Sequence, residues 1–400
     1  MIFGDCAVKV SDTIDPRKIE ECAYIGLEHI VVNQLCLSSI GRSSTVESAK
    51  LKFKSGDILF GKLRPYFRKV LLATFDGVCS TDIWVVRPAP GIDNRFLFYW
   101  MASNEFVNNA NQGAEGTRMP RAKWDFVVNH EIETFEIDEQ KAIAHILGTL
   151  DNKIELNRKT NETLEAMAKA LFKSWFVDFD PVRAKAEGRP AGLPDGISDL
   201  FPDSFEDSEL GEIPSGWAGD TFGSFTTAKR GRMITKKDTI EGSIPVVAGG
   251  MEPAYYHNKS NVDSPVVTIS ASGANAGFVN LYFESIWASD CSYISKTESK
   301  FPFTCYLFLI SSQKRIYDAQ HGGVQPHINP GDLARLHFVN ATENIFEVFE
   351  GIIRPIFAKV SSAIEESKQL ENLRDALLPK LISGEIRIPD AEQMLEEVGI

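Results

Sequence analysis

The feature that most constrains this 400-residue chain is a run of 38 residues, 139–176, that contains neither glycine nor proline after Gly148. Large side chains recur along it at alternating steps of four and three, which is the spacing of a coiled-coil seam. The seam comprises Ile143, Leu147, Leu150, Ile154, Asn157, Asn161, Leu164, Ala168, Leu171 and Trp175. A helix of this length extends roughly 57 Å, so we favour a helix with a partner over an amphipathic helix lying on its own domain.

A partner of similar length lies in the same chain, at 343–382. Apolar residues recur there at intervals of seven, at Phe349, Ile356, Ala363, Leu370 and Leu377. Pro355 predicts a kink or a helix start within the first turns. A short apolar strand is predicted before each long helix, at 131–135 and at 335–339. The pattern therefore predicts two long helices that pair antiparallel.

The regions that precede the two helices resemble each other, which indicates a tandem repeat. The segment TFDGVCSTDIWVV (74–86) is similar to FESIWASDCSYIS (283–295), and the match aligns Asp82 with Asp290. Each region mixes short strands with an apolar helix, so the predicted fold class is α+β. The strands are predicted at 57–60, 81–86, 265–270 and 277–283, and the helices at 96–110 and 304–318.

A second match supports the repeat. The segment AEGTRMPRAKWDFVV (114–128) is similar to HGGVQPHINPGDLAR (321–335), which aligns Gly116 with Gly323. The two matches lie at shifts of 208 and 207 residues, and two independent matches at one shift are hard to obtain by chance. We therefore predict two α/β globules related by a pseudo-twofold axis.

The repeat divides the chain into six segments. One of them, 178–213, is rich in proline and acidic residues, so we expect it to be an exposed, extended linker. The segments are a first globule at 1–135, a central long helix at 136–177, the linker at 178–213, a second globule at 214–340, a distal long helix at 341–384 and an acidic tail at 385–400. Two antiparallel helices in this order would hold the two globules apart at a fixed distance.

The net charge of −13 argues against indiscriminate binding to nucleic acid, which needs positive charge. Most of that charge lies outside the globules. Residues 178–213 hold 3 basic and 10 acidic side chains, and residues 385–400 hold 1 and 5, which together account for −11. The globules are near neutral, with 16 basic and 16 acidic residues in 1–135 and 11 and 10 in 214–340. Locally clustered cations can therefore still form a shaped DNA-binding surface.

Polar and basic loop residues in both globules are the candidates for DNA contact. The densest segment is 50–69, with seven positive charges, one acid and four aromatic residues; a solvated amphipathic hairpin is the alternative there. The candidates are Lys62, Arg64, Tyr66, Arg68, Lys69, Arg118, Arg121 and Lys123 in the first globule, and Lys229, Arg230, Arg232, Ser270, Ser272, Asn275, His321, Gln325 and His327 in the second. Individually, such residues also cap turns.

Several function classes lack their motifs. There is no glycine-rich S-adenosylmethionine loop, no GxxxxGK[ST] phosphate loop and no apolar run long enough to span a bilayer. The six cysteines include no C-x-x-C pair, so we expect reduced thiols in a cytoplasmic protein without zinc. A nuclease built on Asp290, Glu298 and Lys300 is a weak alternative, because the first globule has no equivalent. A coiled-coil scaffold that binds only protein is a second alternative.

Both long helices carry a resemblance to a known family. The stretch DEQKAIAHILGTLDNKIELNRKTNETLEAMAKALFKSWFVDFDPV resembles the central region of the DNA-specificity subunits (S subunits) of type I restriction-modification systems. The stretch ENIFEVFEGIIRPIFAKVSSAIEESKQLENLRDALLPKLISGEI is similar to the second such region of that family. GDILFGKLRPYFRK and TDIWVVRP resemble the first recognition domain of that family, and PVVAGG, TISASGANAGFV and GGVQPHIN resemble the second.

The resemblance implies a non-catalytic subunit that reads a bipartite, asymmetric DNA site, with one half-site for each globule. It implies two modification subunits that bind S-adenosylmethionine and methylate adenine, together with two restriction subunits that use ATP and Mg²⁺. No cofactor is expected on this chain itself. Exposed apolar residues of the first long helix would dock the modification subunits, and the candidates are Leu156, Met167, Phe172 and Phe176.

Overall fold

Two helices of 40 residues each, Ile137–Phe176 and Glu343–Ile382, dominate the chain and are called here the first and second long helix. The computed structural model describes residues 1–133, 135–322, 325–397 and 399. Part of the strand predicted at 131–135, and Gly323, therefore lie outside the described residues. The chain divides into a first unit, Met1–Leu156 with Glu366–Ile400, and a second unit, Asn157–Glu365. Each long helix supplies residues to both units.

Within each unit the two long helices run antiparallel. In the second unit, the Asn157 amide donates to the Ala363 carbonyl at 3.5 Å, and the Phe172 ring lies 6.0 Å from that of Phe349. In the first unit, Asp151 pairs with Arg374 at 2.7 Å. The partner's number falls as the first helix advances, which confirms the predicted pairing. The predicted seam residues of the first long helix are all buried or half-buried.

Pro355 does not start the second long helix, because the helix is continuous from Glu343 to Ile382. The first long helix begins at Ile137, two residues before the predicted run. Among the described residues at 131–135, Glu131 makes only an isolated bridge with Ile2, so the strand expected before that helix is absent there. Before the second long helix, a strand does form at His337–Asn340.

The first unit holds two sheets and the helices that cover them. Its strands are β1 Ala7–Val10, β2 Thr13–Ile14, β3 Ala23–Ile25, β4 Gly41–Arg42, β5 Lys50–Phe53, β6 Ile58–Gly61, β7 Val70–Leu72, β8 Gly77–Cys79 and β9 Ile83–Pro88. One sheet has the order β1-β9-β6-β7 and is antiparallel throughout, and the other has the order β2-β5-β8-β3-β4 with a parallel β3–β8 pair. Short 3-10 turns lie at Pro16–Lys18, Leu27–His29, Ser43–Thr45 and Pro65–Phe67.

Helices Phe3–Cys6, Asn94–Ala102, Asn104–Gln112, Trp124–Val127 and Ile388–Glu397 complete the first unit. The single helix expected at 96–110 is divided at Ser103, whose hydroxyl accepts from the Phe106 N–H at 3.2 Å and caps the second piece. The segment expected as an acidic tail forms the last helix, and its Ala391 and Leu395 are buried in the core of this unit. Apolar spacing within the acidic segment explains that packing.

The second unit contains eleven strands among the described residues. They are β10 Phe205–Ser208, β11 Gly211–Pro214, β12 Ala218–Thr221, β13 Lys229–Arg230, β14 Ile244–Val247, β15 Tyr255–His257, β16 Val266–Ser270, β17 Val279–Tyr282, β18 Trp287–Ala288, β19 Cys291–Ile294 and β20 His337–Asn340. The sheets have the orders β10-β11, β12-β20, β13-β19-β16-β17 and β15-β14-β18, the last with a parallel β14–β18 pair. The helices are Asp180–Ala186, Asp195–Ser198, Phe222–Phe225, Pro302–Ser311, Gln313–Asp318 and Pro330–Ala334, with a 3-10 turn at Lys236–Asp238.

The segment expected as an extended linker, 178–213, is folded instead. It forms two short helices and a strand hairpin, and Val182 and Phe201 are buried in the core of the second unit. Phe201 packs edge-on against Trp175 with ring centroids 4.9 Å apart. Pro181 lies in the first turn of a helix, where a missing N–H is tolerated, so the proline content does not prevent packing.

The two units repeat one architecture, as the sequence predicts. The order β1-β9-β6-β7 in one unit is matched by β13-β19-β16-β17 in the other, and each unit adds a sheet with one parallel pair. Each long helix also supplies a polar side chain that accepts a hydrogen bond from the apolar helix region of its unit. Gln140 accepts from the Asp93 N–H at 2.9 Å, and Glu350 accepts from the Phe303 N–H at 3.2 Å, each at the start of the apolar helix of its unit. The α+β class is confirmed.

Candidate nucleic-acid interface

In the first unit, the loop after β6 and the loop at 113–123 lie against each other. Leu63 and Arg121 form a β-bridge, and Glu115 pairs with Arg121 in the same way, which closes the second loop as a narrow hairpin. The Arg64 N–H donates to the Pro120 carbonyl at 2.7 Å, and the Ala122 N–H donates to the Lys62 carbonyl at 2.9 Å. Two candidate segments that are far apart in sequence therefore form one surface.

Carboxylates hold two of the candidate cations in this surface. Arg121 donates to both oxygens of Asp82, at 2.8 and 3.0 Å, in the bidentate geometry typical of guanidinium and carboxylate. The hydrogen bond and the charge of Asp82 raise the pKa of Arg121. Lys123 pairs with Glu115 at 2.9 Å. Arg121 therefore fixes the hairpin to the segment before β9, and Lys123 joins the two sides of the hairpin.

Arg68 and Lys69 are not available for DNA contact in this structure. Arg68 is 7% exposed, and its Nε donates to the Ala102 carbonyl at 2.6 Å. Its two terminal nitrogens donate to Asp375 at 3.1 and 3.3 Å. Lys69 donates to the Leu27 carbonyl, and burial lowers the pKa of Lys69. Both residues stabilise the loop, because their charges are engaged inside the unit.

Arg64 is also turned toward the protein. Its backbone is in the left-handed region at φ +53°, and its Nη2 donates to the Arg118 carbonyl at 3.2 Å. The side chains that face outward are those of Arg118, Tyr66 and Met119, and the latter two are 47% and 49% exposed. Lys62 is half-buried. Within the described part of the chain, neither the Lys62 ammonium nor the Arg118 guanidinium has a hydrogen-bond or ion-pair partner.

The second unit places its first basic candidates on and beside β13. Lys229 pairs with Glu298 at 2.9 Å, and this hydrogen bond raises the pKa of Lys229. Arg230 donates to Asp290 at 2.6 Å. Arg232 follows as an exposed residue whose guanidinium has no partner among the residues that the structure describes. Of these three cations, only Arg232 is uncompensated.

Some polar loop residues of the second unit form hydrogen bonds within the protein, and others are exposed. Ser270, expected as an exposed contact residue, is 4% exposed instead and donates to the Gly250 carbonyl at 3.1 Å. Ser272 donates to Asp290, and the Asn275 carbonyl accepts from the Phe278 N–H at 3.0 Å within a turn. These three residues shape the loop after β16.

The loop that includes His321, Gln325 and His327 is the counterpart of the hairpin in the first unit. His321 and His327 exchange backbone hydrogen bonds of 3.0 and 2.9 Å, and His327 also bridges to Ser272. The three side chains are exposed, and the His321 ring lies 3.1 Å from Asp332. In both units, therefore, the loop after the same sheet strand pairs with a later loop.

Asp82 and Asp290 occupy matching positions in the two units. Each directly precedes the second strand of its four-stranded sheet, β9 or β19, and each accepts from an arginine of another segment. The sequence aligned the two aspartates but did not reveal their role as loop anchors. The sequence did contain an indication of this role. An aspartate that recurs at the same place in both repeats, near basic loops, is suited to bind one of the loop cations.

Comparison with known proteins finds similarity to one kind of protein. A sequence profile described as the type I restriction modification DNA specificity domain matches residues 13–166. The chain is 28% identical to the type I restriction enzyme HindI specificity subunit of Haemophilus influenzae, over 96% of this chain and 98% of that relative. The chain is therefore similar to type I restriction enzyme specificity subunits over almost its whole length.

A second relative and a solved structure are also similar to this chain. The chain is 25% identical to the type I restriction enzyme MjaIX specificity subunit of Methanocaldococcus jannaschii, over 76% of this chain and 72% of the relative. Its fold is similar to the crystal structure of the S subunit of a type I restriction-modification system from M. genitalium. That similarity has a TM-score of 0.55 at 15% identity and covers 96% of this chain and 95% of the other.

The described residues also bear on other kinds of site. In the described ranges, no group of three or more His, Cys, Asp or Glu side chains is placed to hold a metal ion. Burial raises the pKa of the Cys79, Cys291 and Cys305 thiols to about 12, so these cysteines are packed thiols. None of the helices that the structure describes combines the length and apolar character needed to cross a bilayer.

Proposed function

We propose that this chain is the DNA-specificity subunit of a type I restriction-modification complex and reads a bipartite, asymmetric site. The observation that carries the proposal is the repeated unit with unlike loops. Both units have the same sheet order and the same aspartate anchor, but the exposed loop side chains differ, Arg118 in one and Gln325 in the other. Two unlike reading surfaces on one chain suit two different half-sites.

The charge distribution fits selective binding better than general affinity for DNA. Arg121, Lys123, Lys229 and Arg230 are each paired with a carboxylate of the same unit. Of the basic candidate residues, Lys62, Arg118 and Arg232 have side chains without a partner in the described part of the chain, and the net charge of the chain is −13. Binding that depends little on phosphate contacts gives low affinity for arbitrary sequence. We infer that shape and base contacts supply most of the discrimination.

The long helices support a role in spacing. Each is continuous over 40 residues and contributes to both units. We propose that the pair sets the gap between the half-sites, since the repeat of B-DNA fixes where equivalent groove surfaces recur.

We propose two modification subunits and two restriction subunits as the protein partners, with S-adenosylmethionine, ATP and Mg²⁺ bound by those partners in the cytoplasm. Leu156 and Met167 support docking on the first long helix, because they are 58% and 51% exposed. Phe172 and Phe176, also expected as docking residues, are buried instead at 3% and 7% exposure. Phe176 stacks on Phe346 at 5.2 Å, so these two rings belong to the core of the second unit.

Nothing in the described residues supports an activity of the chain by itself. The groups considered for a nuclease have separate cationic or acidic partners, Arg230 for Asp290, Lys229 for Glu298 and Glu343 for Lys300. Such ion pairs neutralise the charges that would be needed to bind Mg²⁺.

The proposal is tested by co-expressing the chain with a type I modification subunit and mapping methylated adenines in the DNA of the cells. We expect methylation at one bipartite motif with a fixed gap, and none when this chain is omitted. Methylation without a motif, or purified complex that binds all duplexes equally, would favour a scaffold that binds only protein.

A further inference from the structure

Arg118 differs from three other basic candidates of the first unit, whose charges are paired. Arg121 is held by Asp82, Lys123 by Glu115, and Arg68 by Asp375. The Arg118 side chain is exposed and has no partner among the described residues, although its own backbone carbonyl is held. Its guanidinium is therefore the fully exposed cation of this surface that remains free to bind a ligand.

The backbone beneath Arg118 is fixed from three sides. Arg64 donates to the Arg118 carbonyl at 3.2 Å, and the Arg64 N–H donates to the Pro120 carbonyl at 2.7 Å. Asp82 anchors Arg121 at the end of the hairpin. Gly116 has φ +107°, and a Cβ there would lie 3.2 Å from the Met119 carbonyl oxygen, so the turn needs glycine. A side chain on so well supported a loop suits a defined contact.

Arg118 and its neighbours offer hydrogen-bond donors beside apolar surface, a combination that suits the edge of a base pair. Tyr66 and Met119 are exposed on the two loops that Arg64 joins, so apolar surface accompanies the charge. A guanidinium has a planar fork of donors, and its most frequent base-specific partner is the O6 and N7 pair of guanine in the major groove. A cation that served only phosphates would not need a rigid hairpin beneath it.

We infer that Arg118 is a specificity-determining residue that reads a guanine in the half-site of the first unit. This inference rests on the proposed function, because it concerns the same DNA-reading surface. The corresponding hairpin of the second unit, closed by the His321–His327 bridge, carries an exposed amide at Gln325. Gln pairs with adenine through N6 and N7, so Arg118→Gln places in the first unit the type of side chain that the second unit already carries.

The experiment selects bound duplexes from a randomised library with the complex of this chain and its modification subunits, and sequences them. For the unmodified chain we expect a guanine at one position of one half-site, preferred on the order of ten- to a hundredfold over other bases. Arg118→Gln should remove that preference, with adenine favoured, and leave the other half-site unchanged. Gln325→Ala is the matched control and should leave the first half-site unchanged.

The other half-site reports on folding within the same measurement, since a misfolded variant would lose both motifs. If Arg118→Gln retains every base preference and only binds more weakly, Arg118 contacts phosphate and the inference is wrong. If the unmodified complex enriches no motif, the proposed function itself fails. If Arg118→Gln and Gln325→Ala change the same half-site, Arg118 does not read the half-site of the first unit, and the inference is wrong as well.

Discussion

Arg374 on the second long helix donates to the carboxylate of Asp151 on the first long helix at 2.7 Å, although 223 residues separate them in the chain. Arg374 is only 3% exposed and also donates to Asp375 at 3.1 Å. Asp151 in turn accepts from the Tyr99 hydroxyl at 2.7 Å. Burial alone would lower the pKa of Arg374, but the charges of Asp151 and Asp375 outweigh that effect and raise it. This network ties the long helices to an apolar helix of the first unit.

Arg374→Met should destabilise the first unit strongly. The substitution keeps much of the side-chain volume but leaves Asp151 without its cation, whereas Asp375 keeps Arg68. Removing one partner of a buried pair costs about 3 kcal/mol. Urea unfolding followed by tryptophan fluorescence measures the change. Arg387→Ala is the control, because its pair with Asp390 is exposed and should contribute little. Equal midpoints for the two variants would show that the network does not stabilise the unit.

Arg68→Ala and Lys62→Ala should have opposite signatures. Arg68 is buried against Asp375, so its loss should lower the stability of the first unit. The slope of DNA affinity against salt concentration should stay unchanged. Lys62 has an ammonium that is free in the described part of the chain, so its loss should reduce the salt slope by about one and leave stability unchanged. Binding titrations at several salt concentrations, with unfolding measured in parallel, distinguish the two. A reduced slope for Arg68→Ala would return that residue to the DNA-contact surface.

The long helices were predictable because heptad spacing is a local pattern, and the second one spans the predicted 343–382. The repeat was predictable too, because similar segments recur at one shift. The role of Arg68 was not predictable, since its partner Asp375 lies 307 residues away. A basic segment shows how many cations are present, but carboxylates from distant segments decide which of them remain free.

The segment 178–213 illustrates a second limit of sequence interpretation. Proline, glycine and acidic residues predict an extended linker there. The few large apolar residues of the segment outweigh that composition, because Phe201 packs against Trp175 and Trp217 in the second unit. Composition averages over a segment, whereas burial of a few large side chains can determine its structure.

Glu350 should make the stability of the second unit depend on pH. Burial raises the pKa of this carboxyl from 4.5, although the Thr304 hydroxyl, the N–H groups of Phe303 and Thr304, and the charge of Arg354 oppose the shift. The folded state then holds a proton more tightly than the unfolded chain, so stability falls as pH rises from 4.5 through the raised pKa and levels off above it. For one proton, the slope is at most about 1.4 kcal/mol per pH unit.

Glu350→Gln tests this pH effect, because the amide cannot titrate and Gln140 performs a similar capping role in the first unit. Urea midpoints of the variant and the unmodified chain, measured between about pH 5 and 8, should differ in slope, with the shallower dependence in the variant. Glu343→Gln, which removes an exposed acid of the same helix, should keep the steeper dependence. Parallel curves for the Glu350 variant and the unmodified chain would assign the pH effect to other groups.

Lengthening both long helices by one heptad should widen the gap in the recognised site. Insertions after Leu156 and before Glu366 fall at the division between the two units and keep the antiparallel seam in register. Seven residues extend a helix by about 10.5 Å, which is the length of about three base pairs. Motifs mapped from bound or methylated DNA should therefore keep both half-site sequences while the gap grows by about three base pairs. A heptad inserted only in the first long helix breaks the pairing and should abolish binding, which separates a change of spacing from simple tolerance of extra residues. If the half-site sequences change and the gap does not, the long helices do not set the spacing. Spacing and base contact would then depend on the same parts of the chain.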